Sequence, residues 1–240
     1  MRLGIYIRLA GFRQMGIALI IFLAINFAVF ISVLLCPALV EWLWLSADRP
    51  WGILTSAFTH AELSHLVSNL HGFVFAAILF IMVNMIDRRK IRRRKSKAFF
   101  IIAFFAGIGA NILEYPLALA SPGDYSWGAS GVVYGAFGVL MASAVLTFPA
   151  HLKIISKDRW RMAKRRKSRK WLLYDRKSLR ALSSVFSVAL LISFLFLIIF
   201  DTGTFLSVGP GVDVFAHALG FFLGFLGFTL TRRFARYSSK

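Results

Sequence analysis

The chain has 240 residues, of which 58% are hydrophobic and 16% charged, yet its formal net charge is +19. A composition this apolar points away from a soluble domain and towards a membrane protein, and a single cysteine, Cys36, excludes a disulfide framework. Basic runs of this strength also suggest nucleic acid. Here they flank apolar segments, so topology and attraction to anionic lipid heads, about 1 kcal/mol per residue near the surface, account for them and no nucleic-acid partner is expected.

Apolar segments fall at 16–40, 63–86, 98–115, 129–148, 181–200 and 212–231, each near the ~20 residues that cross a bilayer. The first follows Arg2, Arg8 and Arg13, is too long for a signal-peptide core and reads as a retained span with Cys36 as a buried, inert thiol. Loop 87–97 carries eight Lys and Arg, and loop 149–180 carries thirteen. With the N-terminus and the tail they hold all but one of the 29 basic residues; only Arg49 is left for the other side. The positive-inside rule therefore predicts both termini and both basic loops in the cytoplasm. Loops 41–62, 116–128 and 201–211, with Glu41, Asp48, Asp124 and Asp201, face outward. The expected organisation is an all-α, six-span membrane protein: a basic N-terminus (1–15), a six-helix core (16–231) and a basic tail (232–240).

Polar residues at membrane depth carry the functional information, because lipid offers them no partner. Entering the second span, "TSAFTHAELSHLVSN" (Thr55–Asn69) places His65 and Asn69 four apart on one helix face, with His60 at the loop junction. Histidine clusters also suggest a metal, but His60 and His65 are five apart and no cysteine or inward carboxylate completes a set. Glu114 stands at the outer end of the third span, where it caps or bonds a neighbouring loop.

The fourth span opens on "SWGASGVVYG" (Ser126–Gly135), which puts Ser130 in a first helical turn. Orphan N–H groups and the helix dipole there favour a nucleophile and the oxyanion it creates. Tyr134 lies on the same face as Ser130, and Gly131, Gly135 and Gly138 form a stripe. The other reading of those glycines is a packing face of the G-x-x-x-G kind. On the sixth span, "FAHALGFFLG" (Phe215–Gly224) sets Gly220 and Gly224 on the same face as His217. A histidine in a span needs a partner, either a backbone carbonyl or, with the two glycine faces docked, Ser130. Asp213 lies four residues before His217, where it either orients the ring or is solvated.

Taken together, "HAELSHLVSN", "GASG" followed by Tyr134, and "AHALGFFLG" resemble, in order, three motifs of the rhomboid family of intramembrane serine proteases. The resemblance covers about residues 15 to 231 and implies a rhomboid-like bundle of six transmembrane helices. It implies Ser130 as nucleophile and His217 as its base, with His65, Asn69 and the Ser130 N–H as the oxyanion hole. Tyr134 would pack on His217, Gly128 would allow the turn before the serine, and Gly131, Gly220, Gly224 and His60 would support the site. No metal or cofactor is implied. The implied substrates are transmembrane segments of other proteins, and the implied location is the cell membrane, with anionic lipid heads against the basic loops. The alternative is a catalytically silent relative that binds membrane clients. Many members carry Trp-Arg in the first outer loop; here Trp51 keeps its place but Gly52 replaces the arginine.

Overall fold

The computed structural model describes residues 10–120, 126–165, 176–201, 203 and 213–231. Arg2, Arg8, Asp124, the middle of the long basic loop, most of loop 201–211 and the tail 232–240 lie outside the described residues. The described chain is helical: α1 (Arg13–Leu35), α2 (Ala38–Leu43), α3 (Gly52–Thr55), α4 (Leu63–Asn84), α5 (Arg89–Ala120), α6 (Ser130–Arg165), α7 (Arg176–Phe200) and α8 (Val214–Leu230). Short 3₁₀ turns at Ala10–Phe12 and Ser56–Phe58 precede α1 and follow α3.

Among the described residues, five helices (α1, α4, α5, α6 and α7) are long and apolar enough to cross a membrane, and α8 is a shorter apolar helix of 17 residues. The bundle is a helical, multi-pass membrane architecture. Its ends differ from the sequence expectation in three places. Pro37 ends the first span at Leu35, and Cys36, past the last buried turn, is exposed rather than buried. The basic stretch 87–97 is not a loop: the chain turns at 85–88 and Arg89 already opens α5. The fourth span likewise runs on as helix to Arg165, 36 residues or about 54 Å, well beyond the ~30 Å of a hydrocarbon core.

α6 is the centre of the fold. Its apolar window is 78% buried, against 22% for α1 and 28% for α7, and it packs on α8, α5, α7 and α4. Small residues make this possible. The missing side chains of Gly131 and Gly135 face Gly107 and Ala103 of α5, while their carbonyls are met by Gly220 and Gly224 of α8. A Cβ on either α8 glycine would strike that backbone, so α6 is held closely on two sides at once. Around it the core is aromatic: Phe22 packs on Phe73 with ring centroids 4.9 Å apart, and Phe80 on Phe99 at 4.6 Å.

A buried polar network closes the basic end. Lys95 Nζ pairs with Asp87 at 2.8 Å and donates to Asn84 Oδ1 at 2.8 Å. The Asn84 amide in turn donates to Ser143 on α6 at 2.9 Å. His151 Nδ1 meets Ser184 of α7 at 3.0 Å, and Ser183 donates to the Met82 carbonyl. Such partners lower the cost of burying these groups. The network thereby joins α4, α5, α6 and α7.

Candidate functional site

Ala129 accepts the Val133 N–H at 3.0 Å, so the helix begins directly after it and Ser130 is the first residue of α6. The N–H groups of that first turn have no acceptor within the helix and carry its positive dipole end. Ser130 is half-buried. The approach to it needs glycine at 128, where φ is +116°.

Gly128 is also where α4 arrives. A Cβ there would lie 2.7 Å from His65 Cε1, 2.8 Å from His65 Nε2 and 3.3 Å from Asn69 Nδ2. His65 and Asn69 thus stand side by side against the backbone two residues before Ser130. Asn69 Nδ2 is 3.1 Å from His60 Nε2, and the Ala129 N–H donates to that same nitrogen at 3.3 Å. An N–H donor on Nε2 means that this nitrogen carries a lone pair and the ring proton is on Nδ1. His60 is fully buried, and burial first, then the charge of His65, bring its pKa down to about 4; the Phe58 backbone opposes them. His60 is therefore a neutral acceptor that aims the Asn69 amide, which keeps its second N–H free of that bond. With its Nε2 lone pair engaged by two N–H groups, it is a poor metal ligand.

From the opposite side α8 delivers His217, itself buried. The Tyr134 and His217 rings are stacked, centroids 4.1 Å apart and planes 16° from parallel. Tyr134 is one turn below Ser130 on α6, and Gly220, three residues after His217, rests on the Gly131 carbonyl. The structure thus brings together Ser130, Gly131 and Tyr134 of α6, His217, Gly220 and Gly224 of α8, His65 and Asn69 of α4, and Gly128 and His60 from the approaching loops.

Several residues that fix this arrangement were not singled out from sequence. Asn111 of α5 donates to the Ile53 carbonyl at 2.9 Å and to Ser56 Oγ at 3.0 Å, while the Gly128 N–H donates to the Ser56 carbonyl at 2.9 Å. Leu45 and Ser126 form an isolated antiparallel bridge. Asn111 was legible as a polar residue at membrane depth; Ser56 and Leu45 had no such mark.

The 41–62 loop is anchored without an arginine at 52. Trp51 Nε1 donates to the Trp42 carbonyl at 2.6 Å, and Thr55 to the Leu43 carbonyl at 2.7 Å. The Arg49 guanidinium stands over Trp42 and Trp44, 6.0 and 5.5 Å from their ring centroids. At Gly52 the Trp44–Leu45 backbone crosses so closely that a Cβ would meet Leu45 Cα at 2.5 Å, and nothing larger fits.

A family model of the Rhomboid domain matches residues 47–163, which include His60, His65, Asn69, Gly128 and Ser130 and end before His217. RHOMBOID-like protein 4 of Arabidopsis thaliana is 27% identical over 190 residues, 79% of this chain but 36% of that protein. The chain thus spans about a third of the length of this curated relative. No solved structure matches it. The chain is thus a multi-pass membrane protein whose residues 47–163 match the Rhomboid domain.

Proposed function

We propose that the chain is an intramembrane serine endopeptidase that cuts other proteins in or near their transmembrane segments. The observation that carries this reading is the stacking of His217 on Tyr134, one turn from Ser130, with Asn69 and His65 against Gly128 on the other side. A base and a set of N–H donors then flank one hydroxyl at the positive end of a helix.

In the proposed reaction the Ser130 hydroxyl attacks a peptide carbonyl and His217 takes its proton. The oxyanion is met by the Ser130 N–H, the free N–H of Asn69 and His65; a donor of this kind typically contributes about 3 kcal/mol to the transition state. The C–N bond breaks, the amine leaves with the proton from His217, and Ser130 holds the acyl group. Water then attacks, gives its proton to His217, and releases the carboxylate as that proton returns to Ser130. The Tyr134 ring limits His217 to one plane throughout.

The polar residues gather at the end of the bundle away from the basic segments, so the cut falls near the outer face of the cell membrane, with both termini cytoplasmic and anionic lipid heads against the basic segments. A stable lipid-embedded helix resists cleavage because opening it leaves backbone groups unpaired, so segments with weak helices are the expected substrates.

The test is cleavage of a model transmembrane substrate in detergent or liposomes by wild type and Ser130→Ala, with fluorophosphonate labelling of wild type and His217→Ala. Cleavage and labelling in wild type, lost in both variants, support the reading. Cleavage that persists in Ser130→Ala overturns it, and binding of the substrate without cleavage or labelling marks a client-binding relative instead.

A further inference from the structure

The outer ends of α6 and α8 are joined by a contact that the reaction above does not use. Ser126 lies four residues ahead of Ser130, and Asp213 lies four residues ahead of His217. Between them the Ser126 hydroxyl donates to Asp213 Oδ2 at 3.0 Å. Both residues are firmly held. Ser126 exchanges both backbone hydrogen bonds with Leu45, at 2.9 and 3.0 Å. Asp213 caps α8: its Oδ1 accepts the Ala216 N–H at 2.8 Å, and its carbonyl accepts the His217 N–H at 3.2 Å. The Glu114 carboxyl, at the outer end of α5, faces the same pair.

We propose that the Ser126–Asp213 bond is a crossbar that sets the separation and rotation of Ser130 against His217, which makes both residues positioning residues for the dyad. This rests on the reading of Ser130 as nucleophile and His217 as base. The glycine contacts at Gly220 and Gly224 fix how closely the two helices approach along their length. They lie inward of the dyad and leave the first turn of α8 to pivot. The crossbar lies outward of it, so the dyad is clamped from both sides. Asp213 therefore acts on His217 through the backbone of its own helical turn and through the segment leading into Ser130.

The experiment measures kcat and KM on a model transmembrane substrate, with the rate of fluorophosphonate labelling, for wild type, Ser126→Ala, Ser126→Thr, Asp213→Ala, Asp213→Asn and the double variant Ser126→Ala/Asp213→Ala. Because small misplacements of reacting groups are costly, Ser126→Ala is expected to lower kcat and labelling roughly tenfold while KM stays within about twofold. Ser126→Thr keeps the hydroxyl and restores the rate. Asp213→Asn keeps an acceptor and a good helix cap and stays near wild type. The double variant is no slower than Asp213→Ala alone, since both changes remove one bond. Wild-type kcat in Ser126→Ala, failure of Ser126→Thr to rescue, or strictly additive losses overturn the crossbar while the protease reading stands. A wild type that neither cleaves nor labels overturns the protease reading, and the crossbar with it.

Discussion

Asn69 and the Ala129 backbone N–H converge on a single lone pair, the Nε2 of His60, at 3.1 and 3.3 Å. One buried, neutral ring thereby ties the second span to the start of the helix that carries Ser130. Protonation at Nε2 turns an acceptor into a donor facing two other donors, and the convergence is lost.

The pH dependence follows from that geometry. Burial, then the charge of His65, lowers the His60 pKa from 6.5 to about 4, so the unfolded chain takes up the proton before the folded one does. The contribution is complete above 6.5 and declines as pH falls toward 4. Thermal melting in detergent is expected to fall through that window in wild type and to fall less in His60→Gln. Parallel curves for the two proteins would assign the acid sensitivity to other groups.

Gly220 rests on the carbonyl of Gly131, and Gly224 on that of Gly135. Gly220→Ala and Gly224→Ala are each expected to destabilise the bundle by about 1–3 kcal/mol, because the added methyl meets backbone rather than a movable side chain. Under the proposed function, proteolysis of a model substrate is expected to fall with them, as His217 is pushed from Ser130. Gly16→Ala is the control: nothing lies within 4 Å of the added atom, and it leaves the melting temperature at or above that of wild type.

Lys95 and Asp87 pair at 2.8 Å with side chains only 4% and 3% exposed. Lys95→Met leaves a carboxylate buried without its partner and is expected to cost about 3–5 kcal/mol. Adding Asp87→Leu recovers much of that loss, because an apolar pair replaces an orphaned charge. Chemical or thermal unfolding of the three proteins reads both steps.

The 41–62 loop gives the fourth prediction. Gly52→Arg, which restores the residue many family members carry beside Trp51, is expected to damage rather than improve this protein, since the Trp44–Leu45 backbone occupies the space. Arg49→Ala removes a cation stacked over two indoles at a partly exposed site, a contact of about 1 kcal/mol, and is expected to cost far less. Melting temperature and cleavage rate compared for the two variants test the order.

Much of this bundle was legible before any coordinates, for a physical reason. Hydrocarbon lets only uninterrupted apolar helices cross, so the spans appear as composition, and an imidazole or amide inside one stands out. His65, Asn69 and His217 were visible in this way, and Ser130 through its glycine-flanked place at the start of a span. Helix ends were not, because charge marks where a chain meets water but not where it stops being helical; hence α5 begins at Arg89 and α6 runs to Arg165. Partnerships were hidden as well. Gly131 looked like a surface for one neighbour and serves two, and the absent arginine at 52 looked like a missing anchor where the backbone leaves no room. Neither Asn84 nor Lys95 carried a signal, since each is ordinary at a span end until its partner on another helix is known.

The Asn84–Ser143 bond also has a consequence for biogenesis. Its two halves are 59 positions apart, so α4 is made before the hydroxyl that meets its amide exists. At ordinary translation speed that interval lasts roughly 3 to 12 seconds. During it the nascent second span carries an asparagine with one contact missing, which favours holding the early helices beside the insertion machinery until the central rod emerges and locks them.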